Sequence, residues 1–405
     1  MLYHAYQAQA DLTWPLRTLA RAAIPTLTDP TFGISEHPVH RQIAAACEVL
    51  RLSEVTHRRP DWAITRVNLR GEDLPVTEER VLHTPFATLL RFHKASPLPQ
   101  PRVLIVAPMS GHFATLLRDT VLTMLADHDV YITDWHNARD VPLAAGRFGL
   151  AEYTEHLIRF LAAMGAGSHM VSICQPCVAA LAAVALMSED DHPATPASLT
   201  LMAGPIDCRI SPTEVNKLAT AQPIEWFEKH LITHVPLRHR GAGRRVYPGF
   251  LQLSAFMSMN KERHAHAFRD YYLNLLAQEH EKTHATRSFY EEYMAVADLP
   301  AEFYLETVRL VFQEHALPRG ELTLCGRRIV PAAIRRTALV TVEGERDDIC
   351  AAGQTLAAQD LCSGLRPYMR THYVQPNVGH YGVFSGRRWK NQIYPMVRDV
   401  IHVSQ

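Results

Sequence analysis

Six short apolar runs, rich in β-branched residues and each ending at a turn, set the strongest limit on how this chain can fold. They are VLIVAP (103–108), DVYITDW (129–135), SHMVSIC (168–174), SLTLMAG (198–204), TALVTVEG (337–344) and THYVQP (371–376). Their lack of a polar face is expected of central strands in a parallel sheet covered on both sides by helices. The first three lead into helical stretches, MSGHFATLLRDTVLTML, LAEYTEHLIRFLAAM and VAALAAVALM. Strand, helix and strand in succession imply right-handed crossovers and an open α/β sheet. TPFATLLRFHKA (84–95) is expected to add an antiparallel edge strand before them. A chain of 405 residues is long enough for one large core or for two domains.

The rhythm breaks between Gly204 and Ala338. Residues 205–330 carry helical stretches such as AFRDYYLNLLAQEHE and EFYLETVRLVFQEHAL without strand–helix alternation. Phe268, Tyr271 or Tyr272, Leu275 and Leu276 recur at helical spacing and give one apolar face. The expected organisation is an N-terminal helical segment packed on the core (1–80), a first core part (81–204), a helical cap insertion (205–330) and a second core part (331–405). A cap over the carboxyl edge of a sheet encloses a site.

In open α/β sheets, ligands bind beyond the carboxyl ends of the strands, so the residues ending each run are the candidates. SHMVSIC ends on Cys174, TALVTVEG runs into GERDDI with Asp347 and Asp348, and THYVQP runs into NVGHYGVF with His380. Cys, Asp, His is the chain order of nucleophile, acid and base in an α/β-hydrolase. The nucleophile needs a tight strand-to-helix turn, with small or special residues two positions to either side. Here these are Ser172 and Pro176. Pro176 is expected in the first helical turn, where its missing N–H costs nothing. The helix N-terminus then favours the Cys174 thiolate. His380 would take the thiol proton, and Asp347 would orient the imidazole. The backbone N–H groups of Gln175 and of Met109, with Ser110 as a second choice, are the expected oxyanion donors. The Gly-x-x-Asp spacing favours Asp347 over Asp348; Asp207, after SLTLMAG, reads as a turn or cap residue.

Other readings compete. Cys174 and Cys177 form a Cys-x-x-Cys, which in a small βαβ unit can be a redox pair. That chemistry needs no distant Asp and His. A zinc site needs a second nearby pair, and Cys325, Cys350 and Cys362 are widely spaced. Cys177 reads as a packed small residue. HEKTH (280–284) matches a zinc-protease pattern, but its surroundings are polar on nearly every side and read as a solvated helix end.

Composition bears mainly on partners and setting. Lys plus Arg and Asp plus Glu are both 41, a balance that points to neither nucleic acid nor an anionic membrane. No apolar run approaches the roughly 20 residues of a membrane span. No signal peptide is read in MLYHAYQAQADLTW, and seven scattered cysteines suit a reducing cytoplasm better than a disulfide framework.

Taken together, MLYHAYQAQADLTWPL, VLIVAPMSGHFATLLRDTV, TDWHNARDVP, CQP with Val178, GELTLCGRR, VEGERDDICAAGQT and VGHYGVFSGRRW resemble the intracellular polyhydroxyalkanoate depolymerases, which mobilise stored polyhydroxybutyrate. The resemblance implies an α/β-hydrolase fold with a mostly parallel sheet, and a cysteine where most hydrolases use serine. It makes Cys174 the nucleophile, Asp347 the acid and His380 the base. Cys177 departs from the family's usual serine. The related polyhydroxyalkanoate synthases carry Gly-x-Cys-x-Gly-Gly at this turn, whereas Ser-Ile-Cys-Gln-Pro argues for the degrading side. The expected activity is cleavage of poly(3-hydroxybutyrate) on cytoplasmic storage granules, through an acyl thioester and without a cofactor or metal. Coenzyme A is a candidate acyl acceptor. A synthase-like acyltransferase, a hydrolase of small esters or thioesters, and a non-catalytic granule protein are the alternatives. A homo-oligomer is left open.

Overall fold

The computed structural model of the chain describes residues 2–33, 37–96 and 99–404. Met1 and Gln405, which bound the expected first and last segments, lie outside the described residues. The main sheet has nine strands: β1 (Arg66–Leu69), β2 (Glu72–His83), β3 (Ala87–Lys94), β4 (Arg102–Val106), β5 (Asp129–Trp135), β6 (Ser168–Ile173), β7 (Ser198–Met202), β8 (Ala338–Gly344) and β9 (Arg370–Gln375). Their order is β1-β2-β3-β5-β4-β6-β7-β8-β9. Strands β4 to β9 are mutually parallel, and β1 to β3 are antiparallel. Every residue of β6 and β7 is buried, which is why these runs carry no polar alternation.

The register fixes where the site can be. Ile173 of β6 pairs with Met202 of β7, and Met202 pairs with Val342 of β8. Three strands therefore end level, and the segments after Ile173, Met202 and Gly344 leave from one edge.

Around this sheet lie α1 (Leu2–Thr28), α2 (Pro38–Leu52), α3 (Arg118–Leu125), α4 (Leu150–Met164) and α5 (Cys177–Glu189). From Cys177 to Met187 every residue of α5 is buried, five of the eleven being alanine, so this helix is covered all round. Between β7 and β8 come α6 (Glu214–Thr220), α7 (Ile224–Leu231), α8 (Gly249–Met259), α9 (Lys261–Leu276), α10 (His280–Tyr293) and α11 (Ala301–Glu306), the last continuing as a π-helix over Thr307–Gln313. This region also holds a small antiparallel sheet of Thr233–His234, Arg245–Tyr247 and Leu299–Pro300. No described helix is long and apolar enough to cross a membrane.

Three expectations need correction. The segment 1–80 is not helical throughout, because it contains β1 and most of β2, joined by a turn at Arg70 and Gly71, both with positive φ. Pro75 and the acidic residues of β2 hide it as a strand, and at the sheet's margin both are tolerated. Consequently β3 is antiparallel but not the edge. Third, the start of α1 packs on the base of the inserted region rather than on the main core: the buried Tyr3 hydroxyl donates to Asp298 Oδ2 at 2.6 Å, and Tyr6 stacks on Phe250 at 3.8 Å. A buried phenol needs an acceptor, and Asp298 supplies it.

Candidate active site

Cys174 follows β6 with φ +66°, a left-handed conformation rare for a side-chain-bearing residue and costing on the order of 1–3 kcal/mol. Its N–H donates to the Met202 carbonyl at 2.8 Å, and its carbonyl accepts from Cys177 N at 3.2 Å. The chain thus turns within Gln175 and Pro176. Pro176 caps α5 rather than lying inside its first turn; its carbonyl takes the Ala180 N–H at 2.8 Å, and its own lack of a donor is harmless there. Gly204, after β7, allows the tight packing: a Cβ there would lie 2.3 Å from the Cys177 side chain and 3.1 Å from the Cys174 carbonyl.

The two thiols stand in different settings. Cys174 is half-buried and lines a cavity. Cys177 is fully buried, and its Sγ donates to the Ser172 carbonyl at 3.4 Å. Burial pushes the Cys177 thiol up to about 12; the hydrogen bonds to Ser172 and Met202 offset only part of this. It is a packed weak donor.

The expected acid and base meet. His380 Nδ1 lies 2.8 Å from Asp347 Oδ2, with side-chain exposures of 5% and 0%. The other Asp347 oxygen accepts from Ile349 N at 2.9 Å and Cys350 N at 2.8 Å, so both oxygens are used. Asp348 is exposed. Gly344 lets β8 pass close to the His380 loop, since a Cβ there would meet the Val378 carbonyl at 2.6 Å. Burial alone would lower the His380 pKa, but charge and hydrogen bonding from Cys174 and Asp347 outweigh it and hold it well above the usual histidine value. With Nδ1 facing Asp347, Nε2 is the nitrogen left for Cys174.

One expected oxyanion donor, the Met109 N–H, has an unexpected partner. Met109 N–H points to the side-chain carbonyl of Gln175 at 3.4 Å. The glutamine amide oxygen thus occupies the Met109 N–H. The loop behind Met109 is tied to the inserted region by the Ala297 N–H to Gly111 carbonyl bond of 2.9 Å and by a His112–Val296 bridge. His112 Nε2 meets the Tyr293 carbonyl at 3.0 Å, and burial pushes its pKa down to about 4.

Cys174, Gln175 and Met109 share a mostly apolar cavity of about 440 Å³ that is roofed by the insertion, with Trp226, Phe227 and Phe303 among its walls. Thr307, Val308 and Phe312 of the π-helix also face it. Such wide turns are frequent at functional sites.

Sequence reasoning missed the support beneath the site. Buried Glu343 accepts from Gly353 N at 2.8 Å, Thr355 N at 2.7 Å and Leu356 N at 2.9 Å. Thr355 Oγ1 in turn donates to the Gly204 carbonyl at 3.0 Å and accepts from its N–H at 2.8 Å. This network links the loop after Asp347 to the turn under Cys174. The available signal was a lone Glu closing an otherwise apolar strand. Among the other candidates, Asp207 forms a two-pronged pair with Arg209 at 2.8 and 2.7 Å, as a turn residue would. His280, Glu281 and His284 are exposed at the start of α10.

The family model described as the C-terminus of the PHB (polyhydroxybutyrate) depolymerases matches residues 203–405, half of the chain. This chain belongs to the polyhydroxybutyrate depolymerase family. The match spans the insertion, Asp347 and His380; Cys174 lies before it. Membership makes the chain an ester hydrolase with a polymer substrate class. Comparison with curated proteins found no match. Among solved structures, the chain is similar to the DcsB structure with its substrate analogue (12% identity, 82% of this chain and 99% of that chain, TM-score 0.47). It is also similar to the α/β hydrolase GrgF from Penicillium sp. sh18 (14%, 82% and 99%, TM-score 0.45) and to a monoacylglycerol lipase from Paleococcus ferrophilus (11%, 78% and 99%, TM-score 0.43).

Proposed function

We propose that this depolymerase cleaves stored poly(3-hydroxybutyrate) with Cys174 as nucleophile, His380 as base and Asp347 as its orienting acid. The observation that carries the reading is a left-handed Cys174 facing an apolar cavity, with a buried His380–Asp347 pair acting on it from beside. With the proton of the Cys174 thiol held on His380 Nε2, the sulfur attacks an ester carbonyl. The Gln175 side chain leaves Met109, and the N–H groups of Met109 and Gln175 receive the developing oxyanion. Collapse breaks the ester C–O bond, and His380 returns its proton to the departing alkoxide. The product is an acyl thioester and a shortened polymer. Water, deprotonated by His380, attacks the thioester; a 3-hydroxy acid leaves and the Cys174 thiol is restored.

A thioester is equally open to another thiol. Coenzyme A in the place of water gives a 3-hydroxyacyl-CoA with no other change in the balance of atoms. The surface of a cytoplasmic storage granule is the setting this reading implies. Incubating the protein with amorphous polymer granules, with and without coenzyme A, tests it. Release of 3-hydroxy acid is expected, with acyl-CoA appearing when coenzyme A is added. Granule binding without any released product would overturn the reading in favour of a coat protein. Activity confined to small esters would favour a soluble-ester hydrolase.

A further inference from the structure

A second cavity, of about 490 Å³, lies between α1, the end of α2 and the base of the insertion; Cys174, Asp347 and His380 do not line it. Its wall carries three ion pairs: Arg21 with Glu54, Arg51 with Glu291 at 3.1 Å, and Arg238 with Asp11 at 3.0 Å. These pairs engage every carboxylate in the lining. Two guanidinium groups of the same wall, Arg58 and Arg139, form no ion pair among the described residues. Arg139 also acts on the Tyr3 hydroxyl and, through space, on Asp298.

The wall also holds buried nitrogens without hydrogen-bond partners: Nε of Arg139, Nδ1 of His57 and Nε2 of His239. The His57 side chain is 7% exposed. Its Nε2 is engaged by the Tyr6 hydroxyl at 2.9 Å, while Nδ1 stands 4.0 Å from Asp298, beyond hydrogen-bond reach. Buried polar groups are rarely left unpartnered, and a bound ion is one of the accepted explanations. Arg58 and Arg139 line the same concave wall with no described carboxylate at ion-pair distance, and an anion bound there would face both. A guanidinium fork fits phosphate oxygens in pairs. At the rim, Trp14 is 60% exposed and offers an indole face beside these charges. An exposed aromatic next to a cationic groove suits a flat heteroaromatic ring.

We propose that this cavity is a binding site for a nucleoside phosphate, with its phosphates on Arg58 and Arg139 and its base against Trp14. Because Trp14 belongs to α1, the ligand adds a link between that helix and the rest of the molecule, and binding raises the melting temperature. The site is separate from the ester-cleaving centre, so it stands whether or not the proposed chemistry holds.

Calorimetric titration of the full chain at fixed ionic strength tests it, with ADP and inorganic pyrophosphate as probes. ADP is expected to bind saturably and more tightly than pyrophosphate. Arg58→Gln, at an exposed position that does not endanger folding, is expected to weaken both probes by roughly tenfold or more. Arg139→Gln should act in the same direction. Trp14→Ala should weaken ADP and leave pyrophosphate unchanged, and Cys174→Ala should bind both as the wild type does. Absence of saturable binding by either probe overturns the proposal, as does an Arg58→Gln protein that binds as tightly as wild type. Equal affinity for ADP and pyrophosphate overturns the stacking role of Trp14.

Discussion

Cys174 and Cys177 are three residues apart, yet they belong to different regions. One ends a strand on a strained turn, half-buried, facing a cavity and coupled to His380. The other begins α5, wholly buried against Gly204, its thiol pinned to a carbonyl and pushed up to about 12 by burial. The lesson is that a Cys-x-x-Cys spacing fixes nothing by itself. What separates the two is whether the backbone aims the sulfur outward at a strand end or inward along a helix.

Substitutions can break this comparison. Cys174→Ala is expected to have the largest effect, removing ester cleavage by on the order of 10⁶-fold in kcat, as loss of a nucleophile does. Asp347→Asn comes next, at about 10⁴-fold, because the buried pair sets the imidazole tautomer. Asp348→Asn, at an exposed position with no hydrogen bond to His380, should change kcat by less than about threefold, within the range of a surface change. A reversed ranking would reassign the acid. Gly204→Ala tests the inward side: the new methyl group meets Cys177, and denaturant unfolding should show a loss of about 1–3 kcal/mol or more. Cys177→Ser keeps a donor for the Ser172 carbonyl and should leave kcat nearly unchanged.

The histidine offers a sharper probe. The usual His value is about 6.5, and in the fold it is raised. The stabilisation from charging His380 is therefore fully present below about pH 6.5 and is lost as pH rises through the higher folded value. NMR titration of the imidazole should give a raised midpoint in the wild type. Both Cys174→Ala and Asp347→Asn should lower it, while Cys177→Ser should not. An unchanged midpoint in Cys174→Ala would separate the thiol from the histidine and weaken the contrast between the two cysteines.

Much of the molecule could be read from the sequence, for a physical reason. Strands buried on both faces cannot alternate, so β4 to β8 stand out as apolar runs, while β9 lies at the sheet edge and is only partly buried; the residues after the strands are the ones a parallel sheet gathers at one edge. The hairpin of β1 and β2 was invisible because a proline and acids look unlike a strand except at a margin. The docking of Tyr3 on Asp298 joins residues 295 positions apart, which no local pattern reports. The Glu343–Thr355–Gly204 network is likewise tertiary. The position of the Gln175 side chain against Met109 depends on a rotamer, and nothing in Cys-Gln-Pro specifies one.

The most direct test of the central claim is to find which sulfur carries the acyl group. The protein would be quenched seconds after mixing with an activated 3-hydroxybutyrate ester, digested, and the peptides containing residues 174 and 177 fragmented by mass spectrometry. The account predicts an acyl adduct on Cys174 in the wild type and in Cys177→Ser, and none in Cys174→Ala. An adduct on Cys177, or its equal loss in both variants, would contradict it.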